Sequence, residues 1–359
     1  MQGLPSDGQD FVSIRKKSLL YVDKTEYIHK IIQPKGNLFL SRPRRFGKSL
    51  LLGAMAEVLK GNRELFKGLW IDASGYDFKK HPVVKLTMTG KSDTKAELTE
   101  TIVAELRKAA KFNGLDEIEG NSPGDMLKNL VDALKSLVNE RVAVLIDEHD
   151  APIQSQIHNV PQAIENSRIL HYFYSALQTL ADDDQLHLLF VTGVTTFAQA
   201  SIFSGYINLS DLTMDPDFNG VCGFTLEEFD AYIAGYLPSI LEWRKSEGLA
   251  ESGVAVQDLR EQILRHYGGY SWDGESRVLN PYSLVQFLDG KDFEPFWFNA
   301  SEPTFLLELI RRRPQQYLRK GSPVLDENSL GPADVTPLWL TPLLFQTGCL
   351  TIERRVGEG

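Results

Sequence analysis

Leu38-Phe39-Leu40-Ser41-Arg42-Pro43-Arg44-Arg45-Phe46-Gly47-Lys48-Ser49-Leu50-Leu51 decides how this chain is read. A short apolar run leads into a basic loop closed by Gly-Lys-Ser. Apolar residues then recur at helical spacing: Leu50, Leu51, Ala54, Met55, Val58 and Leu59. This predicts a buried strand, a loop and a helix over 48–60 that Gly61 ends. A helix N-terminus presents unpaired N–H groups and a partial positive charge, so the arrangement suits a phosphate. Gly47 lets the backbone approach, Lys48 reaches the β- and γ-phosphates, and Ser49 offers its hydroxyl to Mg²⁺. The expected phosphate-binding set is Arg44, Arg45, Phe46, Gly47, Lys48, Ser49 and Leu50. The usual pattern begins with a glycine where this chain has Arg42, so the loop has to turn there without one.

The second signal is Val142-Ala143-Val144-Leu145-Ile146 followed by Asp147-Glu148-His149-Asp150. A continuous apolar run is what a parallel strand covered on both faces looks like. Asp147 at its end is expected to hold Mg²⁺ beside Ser49, and Glu148 to orient and polarise the attacking water. Glutamate directly after the aspartate favours the additional-strand, catalytic-glutamate class of P-loop NTPases. That class calls for a polar residue at the end of the next strand. The strand at 186–191 runs into Thr192-Gly193-Val194-Thr195-Thr196, which makes Thr192 the expected γ-phosphate sensor and Thr195 its rival. The expected catalytic residues are Glu148, Lys48 and Thr192.

Around these motifs the chain alternates strands with helical stretches at 94–112, 124–139 and 162–181, the pattern of a parallel α/β sheet. Thr25 is expected to cap a helix running to Ile32. Residues 207–213 read as a strand, and 225–237, 257–267, 281–288 and 304–311 as helices. Residues 338–352 read as helix then strand. A boundary near Gly223 divides an ATPase core with an N-terminal arm, 1–222, from a smaller, mainly helical lid of winged-helix type, 223–359.

Composition excludes several classes. The chain has 359 residues, 42% hydrophobic and 24% charged, and a net charge of −10. It can bury a sizeable core, and it is neither disordered nor uniformly basic. Residues 1–50 nevertheless carry a local +6, leaving −16 for the remainder. A basic block in an acidic chain suggests a local anion site. No run is long and apolar enough to span a bilayer, and no signal peptide is visible. Two distant cysteines, Cys222 and Cys349, form no disulfide framework or zinc pattern, which points to a reducing, cytoplasmic setting.

The chain resembles the AAA-ATPase-like family, whose members often carry a C-terminal PD-(D/E)xK nuclease-like domain. The resemblance rests on Leu4-Pro5 with Asp10-Phe11, Tyr21-Val22-Asp23-Lys24-Thr25, Arg42-Pro43-Arg44-Arg45-Phe46-Gly47-Lys48-Ser49-Leu50, Leu65-Phe66-Lys67-Gly68-Leu69, Leu145-Ile146-Asp147-Glu148, Thr192-Gly193-Val194, Gly223-Phe224-Thr225 and Asn280-Pro281. The family has arginine at the position of Arg42 too, and an aromatic residue where this chain has His149. The resemblance implies ATP binding and hydrolysis. The nuclease-like domain would follow Gly359. Asp77-Phe78-Lys79 is the only tempting nuclease-type match and lies on no convincing strand, so no nuclease activity is expected of this chain.

The reading is therefore a Mg²⁺-dependent ATPase whose turnover drives or times a conformational change. The alternative is a nucleotide-loaded switch with negligible turnover that regulates a nuclease-like or nucleic-acid-associated partner. The partners expected are ATP, a second copy of the chain, and a protein or nuclease-like domain in trans. Duplex DNA is expected to bind weakly or not at all, and no membrane is involved. Three weaker features complete the reading. Arg42, Arg44 and Arg45 crowd the loop as candidates for γ-phosphate or nucleic acid, against plain solvated charge. Asp23, Lys24 and Thr25 either line the adenine end or cap a helix. Gly268-Gly269 is either a hinge or a helix cap.

Overall fold

A computed structural model describes residues 2–33, 36–195, 209–296, 324–325, 330 and 340–356. The strands are β1 (Gly36–Ser41), β2 (Val83–Thr87), β3 (Val142–Asp147), β4 (Leu186–Gly193) and β5 (Ser210–Asp211). They form one parallel sheet in the order β2-β3-β4-β1-β5. β4 thus separates β1 from β3, and in register Ser41 faces Gly193 while Ile146 faces Val191. Every residue of β3 is buried, as its unbroken apolar run requires.

The two faces of the sheet take alternate residues of each strand. Val144 and Ile146 pack with α5 (Lys95–Phe112), α6 (Pro123–Val138) and α8 (Val160–Asp182), whose inward residues include Ile102, Leu106, Leu127, Leu130, Phe173 and Leu177. Ala143 and Leu145 face the other way, toward α1 (Phe11–Lys16), α2 (Thr25–Ile32) and α3 (Lys48–Leu59) through Phe11, Ile28, Leu52, Met55 and Val58. Each such side chain contributes about 1.5–3 kcal/mol when fully buried, which makes β3 the centre of the core. Local signals start the helices. Thr94 caps α5 by accepting from Glu97 N at 3.2 Å, and Ser122 caps α6 by accepting from Asp125 N at 3.2 Å, with Pro123 in the first turn.

Two short helices, α4 (Trp70–Ala73) and α7 (Ala151–Gln154), fill connections. Beyond the sheet lie an antiparallel pair, β6 (Phe224–Thr225) with β7 (Val278–Leu279), and the helices α9 (Leu226–Glu228), α10 (Leu237–Ser246), α11 (Val256–Tyr267), α12 (Pro281–Gly290) and α13 (Leu340–Gln346). Phe229, Ile240, Leu259, Ile263, Leu284 and Phe287 build a separate apolar cluster there, joined by Leu20 of the N-terminal arm.

Several expectations are corrected. Thr25 does not cap α2. It is the first helical residue, and its hydroxyl accepts from Ile71 N at 3.0 Å. The helix read over 225–237 is broken into α9, a π-turn and a 3-10 turn, and α10 begins at Leu237 with Pro238 in its first turn. Of 207–213, the described residues contain only the two-residue β5. Residues 304–311 and Thr196 lie outside the described residues. In 338–352 the helix α13 is present, but the described residues after it form no strand, because Gly348 turns the chain at φ +80°. Gly268 and Gly269 serve as a cap: Gly268 N donates to Leu264 O at 3.0 Å, and Gly269 adopts φ +97°. Asp77-Phe78-Lys79 lies in an irregular stretch, as expected.

Candidate functional site

The loop at 42–47 leaves the carboxyl end of β1 and enters α3. Gly47 is the N-cap of α3 at φ +97°, and a Cβ built there would meet nothing within 4 Å. The backbone angle, not crowding, is what calls for glycine. Arg45, also left-handed at φ 67°, carries that strain without being glycine. Lys48 is 5% exposed, and its ammonium donates to Arg42 O at 2.9 Å and Pro43 O at 3.0 Å. Burial pushes its pKa down, opposed by the charges of Asp147 and Glu148. Ser49 is exposed at the mouth of the loop.

Across from the loop, Asp147 closes β3. Its Oδ1 accepts from Thr192 Oγ1 at 2.8 Å and from Glu148 N at 3.0 Å. Glu148 sits at φ 51°, a left-handed geometry uncommon for a long side chain, which turns it out of the strand into the cleft. Burial, then the neighbouring Asp147, raise its pKa, against Lys48 and Arg44.

The cleft between these parts has a volume of about 1370 Å³. It is lined by residues 44–51, Glu148, the arm at 5–10, residues 20–22 with Lys24, residues 221–224 and one side of α12. That exceeds the roughly 300–1,000 Å³ of ordinary small-molecule sites, so a nucleoside triphosphate has room.

The structure parts the three loop arginines. Arg44 is exposed at the cleft, with Nη2 3.4 Å from Gln154 Oε1. Arg45 pairs with Asp7 at 2.6 Å and lies 4.7 Å from the ring centroid of Tyr282 on α12. Arg42 is 0% exposed and does not line the cleft. Leu50 and Phe46 line it in part. Of the residues read as an adenine end, Lys24 reaches the cleft, held by Glu228 at 2.6 Å and Gly220 O at 2.7 Å.

Thr192 is 0% exposed and Asp147 3% exposed, and neither lines the cleft; the Thr192 hydroxyl bonds Asp147, which lies directly before the cleft-lining Glu148. The rival Thr195 is likewise buried, donating to Asp150 Oδ2 at 2.6 Å. Asp150 also accepts from Val194 N, Thr195 N and Gln154 Nε2. Through Gln154 this buried carboxylate connects to Arg44. Sequence reasoning missed Asp150 and Gln154. The signal was present only as one more acid after Asp147-Glu148, with nothing to tell which donors it would meet. His149 is fully buried beneath Thr192, with Nδ1 3.2 Å from Thr192 O, and burial lowers its pKa. Gly193 lies so close to it that a Cβ would collide with the His149 ring and stand 2.6 Å from Asp150 Oδ1.

Among the described residues no cluster of three His, Cys, Asp or Glu suits a metal. The hard oxygens of Ser49 and Asp147, together with phosphate, are the donor type that Mg²⁺ takes. Asp147 Oδ2 has no hydrogen bond among the described residues. Cys222, at the cleft wall, and Cys349 are free thiols. Among the described residues no helix is long and apolar enough to cross a membrane.

A family model described as "Predicted AAA-ATPase" matches residues 5–203, more than half of the chain. An Azotobacter chroococcum mcd 1 protein described as "Uncharacterized protein in vnfD 5'region" is 32% identical over 367 residues, covering 99% of this chain. The chain spans 65% of that relative's length. No solved structure matches the chain.

Proposed function

The chain belongs to the family of predicted AAA-ATPases, and from that premise we propose that it binds Mg-ATP in the cleft and hydrolyses it. One observation carries this reading. Gly47-Lys48-Ser49 at the N-terminus of α3 shares a cleft with Glu148, at the end of a strand that β4 separates from β1. That strand order supports the additional-strand, catalytic-glutamate class.

In this reading the N–H groups of residues 44–50 and the Lys48 ammonium bind the β- and γ-phosphates. Ser49 and Asp147 hold Mg²⁺, which when bound neutralises charge on the β- and γ-oxygens. Glu148 accepts the proton of the attacking water, and the rise in its pKa on burial makes it a stronger base than an exposed carboxylate. Thr192 fixes the Asp147 carboxylate. Arg44, the exposed loop arginine without a carboxylate partner among the described residues, faces the cleft to meet γ-phosphate charge.

Residues 1–222 form the core and 223–359 the lid. The β6–β7 pair beside α11 and α12 supports a winged-helix lid, and closure of α12 over the nucleotide is the motion that turnover times. A second copy or another protein receives that motion.

The test is ATP turnover by the wild type and by Glu148→Gln, with Mg²⁺ and with chelator. Mg²⁺-dependent release of phosphate that the variant loses supports the reading. Tight binding with no turnover in either protein leaves a nucleotide-loaded switch.

A further inference from the structure

Arg42 occupies the position where such a loop ordinarily turns on glycine, and its side chain runs away from the cleft. Nη1 donates to Ser41 O at 2.8 Å and Thr213 O at 2.9 Å, and Nη2 donates to Phe218 O at 2.8 Å. The guanidinium lies 4.2 Å from the ring centroid of Trp272. A buried charge needs its donors met, and the two Nη atoms are, while Nε has no hydrogen-bond partner among the described residues. Among the described residues no carboxylate forms an ion pair with it; three carbonyls and an aromatic face take that role. Burial lowers its pKa to about 10, which leaves it charged at neutral pH.

The same neighbourhood grips the loop at other points. The Phe46 ring meets Tyr270 edge-on at 4.9 Å and Trp272 at 5.5 Å. Gly223 N donates to Phe46 O at 3.2 Å. Gly348 packs so closely that a Cβ there would stand 2.9 Å from Pro43 Cγ. Positions 42, 43 and 46 are therefore gripped by Thr213, Phe218, Gly223, Tyr270, Trp272 and Gly348, while Arg44, Arg45 and residues 47–49, with Phe46 in part, line the cleft.

We propose that Arg42 and Trp272 are positioning residues for nucleotide binding: they clamp the phosphate loop in its receiving shape, although neither lines the cleft. This rests on the cleft being an ATP site. Because coupling is reciprocal, a nucleotide that needs the clamped loop must in turn stabilise the clamp.

The experiment has two parts. The first compares wild type, Arg42→Lys, Trp272→Leu and Trp272→Phe for affinity toward a non-hydrolysable Mg-ATP analogue, and for KM and kcat. Arg42→Lys keeps the charge but loses the planar fork, and Trp272→Leu loses the aromatic face. Both should raise Kd and KM by about 10- to 100-fold, the range a misplaced positioning group produces, with kcat at saturation changed by less than about twofold. Trp272→Phe should restore near-wild-type affinity. The second part needs no variant: the analogue should slow amide exchange at 213–218 and 270–272 in the wild type.

Unchanged Kd in folded Arg42→Lys and Trp272→Leu overturns the proposal, as does a loss confined to kcat. If the variants do not fold, wild-type exchange decides, and rates indifferent to the analogue overturn it. Failure of the wild type to bind the analogue sinks the ATP reading itself and this inference with it.

Discussion

Thr192 Oγ1 donates to Asp147 Oδ1 at 2.8 Å, joining the carboxyl ends of the neighbouring strands β4 and β3. With the Glu148 N–H on the same oxygen, both hydrogen bonds to this carboxylate fall on Oδ1, and Oδ2 is the lobe that the proposed Mg²⁺ would use.

Thr192→Val keeps the shape and removes the donor. A buried acceptor that loses a partner costs about 1–3 kcal/mol, so the variant should melt earlier. Its ATPase should need more Mg²⁺ for half-maximal rate, because the carboxylate is no longer fixed. A Mg²⁺ titration at saturating ATP checks this, and an unchanged midpoint would show that Thr192 does not act through Asp147.

Lys48→Ala removes the ammonium proposed to meet phosphate. ATP binding should weaken by about 100-fold or more, in line with the loss of a charge-assisted contact of ~3 kcal/mol. Calorimetry on the folded variant gives the answer, and wild-type affinity would remove the phosphate-loop assignment.

Glu148→Gln should bind ATP normally and turn it over about 10²-fold more slowly or worse, since an amide cannot accept the water's proton. Its stability has a definite pH sign. The folded-state pKa of Glu148 is raised, so the neutral form is favoured by folding and the carboxylate is disfavoured. That stabilisation is complete below the unfolded value of about 4.3 and is lost as pH rises through the folded value. The glutamine variant should therefore melt higher than wild type at pH 7.5 and match it near pH 4. Melts at the two pH values that show no such convergence would remove burial as the cause.

Gly193→Ala should destabilise the fold by about 2–4 kcal/mol, because the new Cβ meets both the His149 ring and Asp150. Adding His149→Ala opens the space and should recover part of the loss. Denaturant melts of the single and double variants measure it; additive losses would contradict the predicted collision.

Duplex DNA should bind only weakly, at about 10⁻⁵ M or weaker at physiological salt. Most of the basic block near residues 42–48 is already engaged. Arg42 and Lys48 are buried on carbonyls, and Arg45 is paired with Asp7. Fluorescence anisotropy with labelled duplex, with and without the ATP analogue, reads this directly. Sub-micromolar binding that the analogue abolishes would place DNA on Arg44 and the loop instead.

What the sequence revealed was what neighbours in the chain decide. The strand, loop and helix around Gly47 and the apolar run ending at Asp147 were legible because hydrophobic period and helix signals are local. So were the limits of α5, α6, α8 and α11. The two-residue strands β6 and β7 were not, because strands that short exist only through their partners, and β5 was read only as part of a longer strand over 207–213. The character of Arg42 was hidden for the same reason. Its type suggests a phosphate contact, and only Thr213, Phe218 and Trp272, all far along the chain, turn it away. Thr192 was placed at the right strand end, but the direction of its hydroxyl depends on the strand beside it.

Lys48 shows that the loop supplies acceptors for its own lysine. The ammonium rests on Arg42 O and Pro43 O, and burial lowers its pKa from the ordinary lysine value, against the charges of Asp147 and Glu148. An arriving phosphate must displace those two carbonyls, and its charge then tightens the proton's hold. If the cleft binds nucleotide as proposed, capture should also take up a proton on the alkaline side. The heat measured on binding should vary with the ionisation enthalpy of the buffer, and affinity should fall as pH climbs through the lysine's lowered value. On the proposed reading the cleft should therefore favour a polyphosphate over a lone weak anion, whose smaller charge would not offset the loss of the two carbonyl contacts.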